Sequence, residues 1–521
     1  MLPLVAALAL AAATAQPEKP HILLITTDQQ RVDSVGAYGL AGATNLSPRL
    51  DALRAEGVLW TRAYAAAPSC SPCRTSLLTG VHVPVHGVIE NGWARYRPGL
   101  LVYPDLLKKA GYDCSVYGKT HFKPEPPSLD VVVPVNAKTK AKGRCNALDM
   151  RRGGGGECRI EEKDFLETVL VDAFVKKLKT ARRDGPWFAH VSLLAPHPVS
   201  LPPKGWGNRF KIADLPAVDH RPGDFAKLPE ETKLLLHNTS TRTYKHPYVR
   251  ATDGSLIRRV VDAERVAYYS LCAYVDAQVG RAVAAVDAAG LRDRTLVLFT
   301  SDHGSQLFDH GVQNSKHTFL EASWRVPLLA RWPGVLPAGG EATFASTVDL
   351  TATILAAAGA GVPRSMAGYD LVAPFRGAGA GRTRAAAVAG ALYRGFAVVT
   401  ARYKLVYFPE RDEGRFYDLE NDPTERNDAL ARRGAHARAR RAPRRAPCAG
   451  AARARVGRAP GGRRPGTRCA LGRAWRLNAL CVWTHADLLD HGLDDFLDGL
   501  EDGLRKTWIV SAGGPQRSST I

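Results

Sequence analysis

The residues best placed to do chemistry lie in one short segment, Cys70-Ser71-Pro72-Cys73-Arg74-Thr75-Ser76-Leu77-Leu78-Thr79-Gly80. Pro72 suits a first helical turn, where its missing N–H costs nothing, and Gly80 suits a helix stop. Cys70 is therefore expected just before a helix N-terminus. Free N–H groups and the helix dipole favour negative charge there, so the spot would acidify a thiol and hold an anionic substrate group. Three readings stay open on this segment alone. Cys70 is an activated nucleophile, or Cys70 and Cys73 form a C-x-x-C redox pair, or either is a structural disulfide partner.

Four further polar clusters each follow a short apolar run. His21 to Thr26 leads into Asp28-Gln29, and Cys114 to Tyr117 leads into Gly118-Lys119-Thr120-His121. Phe188 to Leu194 leads into Ala195-Pro196-His197, and Thr295 to Thr300 leads into Ser301-Asp302-His303. Lys316 lies a little further on, in SKHTFLEASWRVP. Taken singly, each has an ordinary explanation: an Asp caps a helix, a Lys is solvated, a His is packed.

The elements that must position these residues follow from the same runs. Apolar stretches of this length, rich in Val, Ile, Leu and Phe, read as buried strands. Helical spacing runs between them, over Ser47 to Glu56, Asp164 to Leu178 and Glu264 to Ala289. Strands alternating with helices predict an α/β layer architecture around a mainly parallel sheet. Function gathers at the carboxyl ends of such strands, where all four clusters fall. Pro333 to Gly340 reads as a turn-rich exit from the main body. Beyond it, AVVTA, YKLVYF and Phe416 to Leu419 predict a small antiparallel sheet.

Together these motifs resemble the sulfatase family, within the alkaline phosphatase superfamily. C-x-P-x-R followed by LLTG is similar to the family signature, and the remaining clusters follow in family order over roughly residues 19–430. The resemblance implies an alkaline-phosphatase-like large domain and a small C-terminal domain with an antiparallel sheet. It implies that Cys70 is converted to formylglycine, whose hydrated aldehyde is the nucleophile toward sulfur. Asp28, Gln29, Asp302 and His303, with the modified Cys70, correspond to the metal site. Oxygen ligands suit Ca²⁺; His303 is less usual for that ion, so Mn²⁺ stays open. Arg74, Lys119 and Lys316 correspond to groups stabilising the anionic transition state. Asp302 corresponds to the activator of the diol, His197 to the proton donor to the leaving alcohol, and His121 to the base for the second hydroxyl. The implied partners are a sulfated small molecule or carbohydrate and a formylglycine-generating enzyme. The Asp28-Gln29 pair also resembles phosphonate monoester hydrolases, so a phosphonate monoester or phosphodiester is an alternative substrate. A non-catalytic binder of sulfated glycans is an alternative of another class.

Bulk properties bound these readings. A chain of 521 residues suits one large domain plus a smaller one, with boundaries expected at 16–335 and 336–430. The formal charge of +21 is uneven: residues 432–476 hold fifteen Arg and no acid, while residues 1–431 hold 53 basic and 43 acidic residues, a net +10. That moderate excess suits an anionic substrate and does not call for nucleic acid. The segment 431–480, rich in Arg, Ala, Gly and Pro, reads as disordered, and 481–521 as a tail with helical character. Residues 1–15 read as a secretory signal peptide, with a buried first helix as the alternative. No later run reaches membrane-spanning length. The expected location is the secretory pathway, leading to an extracellular or lysosome-like compartment. The nine cysteines leave at least one outside intramolecular pairs; Cys145 and Cys158 could pair. Asn238 and Asn45 begin glycosylation sequons.

Overall fold

A computed structural model describes residues 19–39, 45–92, 95–145, 156–180, 185–233, 258–313, 315–377, 381–392, 395–411 and 413–429. The expected signal peptide, the Asn238 sequon and the segments from 431 onward lie outside the described residues.

The large sheet contains β1 (His21–Asp28), β2 (Val58–Tyr64), β3 (Asp113–Gly118), β4 (Asp130–Pro134), β5 (Trp187–Pro196), β6 (Thr295–Ser301), β7 (Arg325–Val326), β8 (Leu328–Arg331) and β9 (Gly340–Ser346). Their order is β4-β3-β5-β1-β6-β8-β2-β7, with β9 also pairing β2. Strands β4, β3, β5, β1 and β6 are mutually parallel, so their carboxyl ends share one edge. Register brings Asp28 beside Pro196, Thr27 beside Ser301 and Gly118 beside Ser192. Strands β7 and β8 run antiparallel to their neighbours.

The period of two in each strand divides the core between two faces. Ile22 and Leu24 of β1, with Leu296 and Leu298 of β6, enter one buried cluster; Leu23 and Ile25, with Val297 and Phe299, enter the other. Residues apolar at every position are the signature of a strand covered on both sides. The covering helices used below are α1 (Pro48–Ala55), α2 (Cys70–Thr79), α3 (Ala137–Gly143), α4 (Leu166–Thr180), α5 (Arg258–Ala288) and α6 (Thr347–Ala357). Helix α5 starts six residues before the predicted Glu264. Arg258 and Asp262 pair there at i, i+4, a stabilising pattern that apolar spacing does not register.

The second sheet is antiparallel, β10 (Ala387–Leu392), β11 (Gly395–Val399), β12 (Tyr403–Phe408) and β13 (Glu413–Asp418), in that order. The turn-rich stretch at 333–340 needs correction as an exit from the main body. It leads back into the large sheet, because β9 pairs in parallel with β2 from Val58 to Tyr64. Helix α6 then packs on α2, with Thr351 Oγ1 donating to the Leu77 carbonyl. The separate sheet begins only at Ala387.

Candidate active site and metal centre

Helix α2 carries the centre. Cys70 is its first residue, one position inside the expected boundary, after Ser69 in extended backbone. The Ser71 N–H donates to Asn91 Oδ1 at 2.9 Å, which satisfies one exposed helix-end donor. Gly80 ends the helix at φ 67°, a conformation that favours glycine.

The structure gathers the residues from five chain segments around Cys70 Sγ. Lys316 Nζ lies 2.8 Å from it, His303 Nε2 3.2 Å and Asp28 Oδ1 3.6 Å. The His121 side chain also hydrogen-bonds Cys70. Lys119 Nζ pairs with Asp28 Oδ2. Arg74 Nε donates to Asp302 Oδ2 at 2.7 Å. All these groups except the partly buried His121 are nearly sealed from solvent.

Charge explains how so many ionisable groups coexist. Burial and the neighbouring Cys70 work to raise the Asp28 carboxyl, but Lys119, His197 and Lys316 hold it well below the ordinary range. Burial also opposes the Cys70 thiolate; Lys119, Lys316, His303 and the His121 hydrogen bond prevail and keep the thiol well below its usual value. Cys70, Asp28 and Asp302 in turn overcome burial at Lys316 and keep it protonated.

Cys73 behaves differently. Its Sγ lies 3.4 Å from Thr347 Oγ1, and burial, then Asp302, push its thiol up to about 12. Cys70 and Cys73 are both free, whereas Cys145 and Cys158 are disulfide-bonded. A C-x-x-C redox pair needs two thiols that reach each other; these two are held by different partners.

The donors fit a divalent metal. One ligand atom each from Asp28, Cys70, Asp302 and His303 falls within 4.8 Å of the others. Cys70 Sγ stands where an oxygen of the modified residue would lie. His303 Nδ1 is engaged with the Gly304 carbonyl at 2.8 Å, which aims Nε2 inward. Gln29 has φ 69°; its N–H donates to Asp302 Oδ1 at 3.1 Å and its Nε2 to Ser305 Oγ at 3.1 Å. The side-chain amide oxygen is the atom of Gln29 whose chemistry suits a hard cation.

Arg74 and His197 also bond to the protein around the centre. Arg74 Nη1 donates to the Lys119 carbonyl at 3.0 Å and Ser192 Oγ at 2.8 Å, in addition to the Asp302 bond. Its Nη2, 3.8 Å from Asp28 Oδ2, has no hydrogen-bond partner among the described residues, so the guanidinium orders the site and still turns one nitrogen toward the centre. His197 Nδ1 lies 2.7 Å from the Pro198 carbonyl, and burial, with Lys316 beside it, lowers its pKa to about 3. Its surroundings thus favour the neutral ring, with Nδ1 donating to that carbonyl.

Ser192, Arg31 and Arg144 were not found from sequence. Arg31 pairs with Asp33 and Asp309 and donates to the Ser305 and Gln306 carbonyls, holding the loop after β6. Arg144 Nη2 donates to the His197 carbonyl at 2.6 Å. No spacing rule marks such residues, because most of their partners, such as Ser305, Asp309 and His197, lie far away in sequence.

A mainly parallel α/β sheet with two carboxylates, a histidine and a helix-start cysteine at its carboxyl edge is an architecture of the alkaline phosphatase type. Residues 20–360 match the sulfatase family, and 309–440 match the C-terminal region of N-sulphoglucosamine sulphohydrolase. This chain belongs to the sulfatase family and is a sulfatase. It is 25% identical over 394 residues to arylsulfatase K of Mus musculus, covering 71% of this chain and 68% of that protein. An arylsulfatase of Clostridium perfringens is 27% identical over 448 residues, covering 78% and 89%. The crystal structure of the phosphonate monoester hydrolase of Agrobacterium radiobacter superimposes with a TM-score of 0.65 at 26% identity, covering 80% and 93%.

Proposed function

We propose that this sulfatase uses formylglycine made from Cys70, with Ca²⁺ held by Asp28, Gln29, Asp302 and His303, to hydrolyse a sulfated small molecule or carbohydrate. The convergence of Lys316, His303, His121 and Asp28 on Cys70 Sγ carries the reading. The modified residue supplies a hydrated aldehyde as nucleophile, and the metal supplies charge stabilisation at the sulfuryl oxygens.

The chain's own groups then have distinct tasks. Lys119 and Lys316 offer ammonium charge to the transferring group in a site closed to water. Lys316 is protonated and touches the reacting position, so it is the better proton source for the leaving alcohol. His197 accepts a hydrogen bond there and orients that alcohol. His121 is neutral, since burial and Lys119 lower its pKa, and it contacts the residue 70 side chain. It is suited to take a proton from that side chain in the second half of the reaction. Arg74 orders the site through Nε and Nη1 and offers Nη2 to the transferring group.

A second reading, hydrolysis of phosphonate monoesters, is favoured by the Asp28-Gln29 pair together with the Agrobacterium radiobacter likeness. Maturation by a formylglycine-generating enzyme in the secretory pathway accords with the Cys145–Cys158 disulfide, which forms in oxidising compartments. No helix among the described residues is long and apolar enough to cross a membrane.

Peptide mass spectrometry of the active protein tests the nucleophile: formylglycine at position 70 is expected, and an active preparation containing only cysteine there overturns it. Turnover of an aryl sulfate against the matching phenyl phosphonate separates the two substrate readings.

A further inference from the structure

Strand β5 ends at Pro196, and the chain then turns through His197 to Pro202. That turn is gripped from outside by its backbone. Glu167 Oε1, in the first turn of α4, accepts from the Ala195 N–H at 2.8 Å. Arg144, directly after α3, donates from Nη2 to the His197 carbonyl at 2.6 Å, and its Nη1 lies 3.3 Å from the same Glu167 oxygen. The Cys158 N–H donates to the Pro202 carbonyl at 3.0 Å, and Cys158 is disulfide-bonded to Cys145, the residue after Arg144. Glu167 is fully buried and Arg144 is 8% exposed, with its guanidinium 5.8 Å from the centre of the Phe165 ring. Burying such a pair is weak ground for stability, since desolvation offsets much of the attraction. What it fixes is geometry: one planar fork holds a carboxylate with one nitrogen and a carbonyl with the other.

We infer that Arg144, paired with Glu167, is a positioning residue that aims His197 at the leaving alcohol. The inference rests on the reading above in which His197 orients that alcohol. The His197 ring does not turn independently of the backbone, because its Nδ1 is tied to the Pro198 carbonyl at 2.7 Å. The ring therefore moves with the turn, and whatever holds the turn sets the direction of Nε2. Glu167 and Arg144 take hold on either side of Pro196, at the Ala195 N–H and the His197 carbonyl. The disulfide anchors the chain beside Arg144 to the far end of the same turn, so the brace cannot shift without it. Arg144 acts on the protein backbone, and its effect on the substrate passes through His197.

The test measures kcat and KM for para-nitrophenyl sulfate and phenyl sulfate with the full-length matured protein. Phenol is the poorer leaving group and depends more on help at its oxygen. Arg144→Lys keeps the charge and loses the fork. It is expected to lower kcat for phenyl sulfate by roughly tenfold, as a misplacement of less than about 1 Å does, with a smaller loss for para-nitrophenyl sulfate and little change in KM. In a His197→Ala background the same substitution should cost nothing more, because residues that act through one another are not additive. A general loss of structure would lower both esters equally and add to the His197→Ala loss. That result overturns the assignment, as does wild-type kcat for phenyl sulfate in Arg144→Lys. Should Arg144→Lys fail to fold, Arg144→Gln combined with Glu167→Gln leaves no buried charge alone and makes the same comparison. If His197→Ala itself penalises phenyl sulfate no more than para-nitrophenyl sulfate, the role given to His197 falls, and this inference with it.

Discussion

Arg74 and Asp302 face each other at 2.7 Å with side chains only 2% and 3% exposed, joining the helix that bears Cys70 to the carboxyl end of β6. The same guanidinium reaches the Lys119 carbonyl and Ser192, so one side chain orders contributions from four segments. Lysine cannot copy this planar fork. Arg74→Lys is expected to lower metal affinity or turnover by roughly 10-fold to 100-fold, as loss of a group orienting a ligand does. Arg74→Ala should in addition destabilise the fold by about 3 kcal/mol, because it leaves a buried carboxylate unpaired. Metal titration and denaturant unfolding of both variants measure the two effects separately. Retention of wild-type metal affinity in both variants would remove Arg74 from the site's support.

Cys70 and Cys73 should separate cleanly on substitution. Cys70→Ala should abolish turnover of an aryl sulfate. Cys70→Ser should be inactive too, and intact mass should reveal one sulfo group retained on the serine, which lacks the second hydroxyl needed to release it. Cys73→Ser should keep most of the activity, since Cys73 only fills space near Thr347. Equal losses at the two positions would return a thiol pair to consideration.

The legible part of the site was what chain order preserves. Asp28, Lys119, His197 and Asp302 each follow an apolar strand, and the parallel sheet converts that pattern into one edge. The large-sheet strands β2, β4, β7, β8 and β9 and the small-sheet strand β10 were not read. β2 carries Thr61 and Arg62 among its apolar residues, β4 is half exposed, and β10 is built from small residues with little apolar signal. The hydrogen bonds by which Arg74 orders the site were also beyond sequence, since Ser192 and Lys119 meet it only in three dimensions.

Metal removal should inactivate the enzyme reversibly. Chelator dialysis is expected to abolish turnover, with Ca²⁺ restoring it and elemental analysis finding one divalent ion per chain. Asp302→Asn should lose more activity than Gln29→Ala, because Asp302 also anchors Arg74 and accepts the Gln29 N–H. Full activity in chelator with no bound divalent ion would rule the metal out. A smaller loss for Asp302→Asn would show that the Gln29 amide is the more important ligand.

The small sheet is fastened to the large one through a buried lysine, and its stability should depend on pH in a defined direction. Lys404 on β12 donates to the Phe319 carbonyl at 3.1 Å and pairs with Glu321 at 2.6 Å and Glu425 at 2.7 Å. Two carboxylates share one ammonium away from water. Burial is the main force raising Glu425 to about 7; Glu321 adds to it and Lys404 opposes it. The folded protein therefore keeps a proton on Glu425 that the unfolded chain, near the ordinary 4.5, has already lost. Between those values the folded state binds more protons, so this group's contribution to stability falls as pH rises from about 4.5 to about 7. Glu425→Gln should flatten that part of the stability profile in denaturant melts run across the window. Lys404→Met should destabilise at neutral pH by about 3 kcal/mol, because the buried Glu425 and the partly buried Glu321 lose the ammonium they share. The double variant Lys404→Met with Glu425→Gln should recover part of that loss. If Glu425→Gln leaves the slope unchanged, the proton resides elsewhere in the cluster, and Glu321 becomes the group to replace.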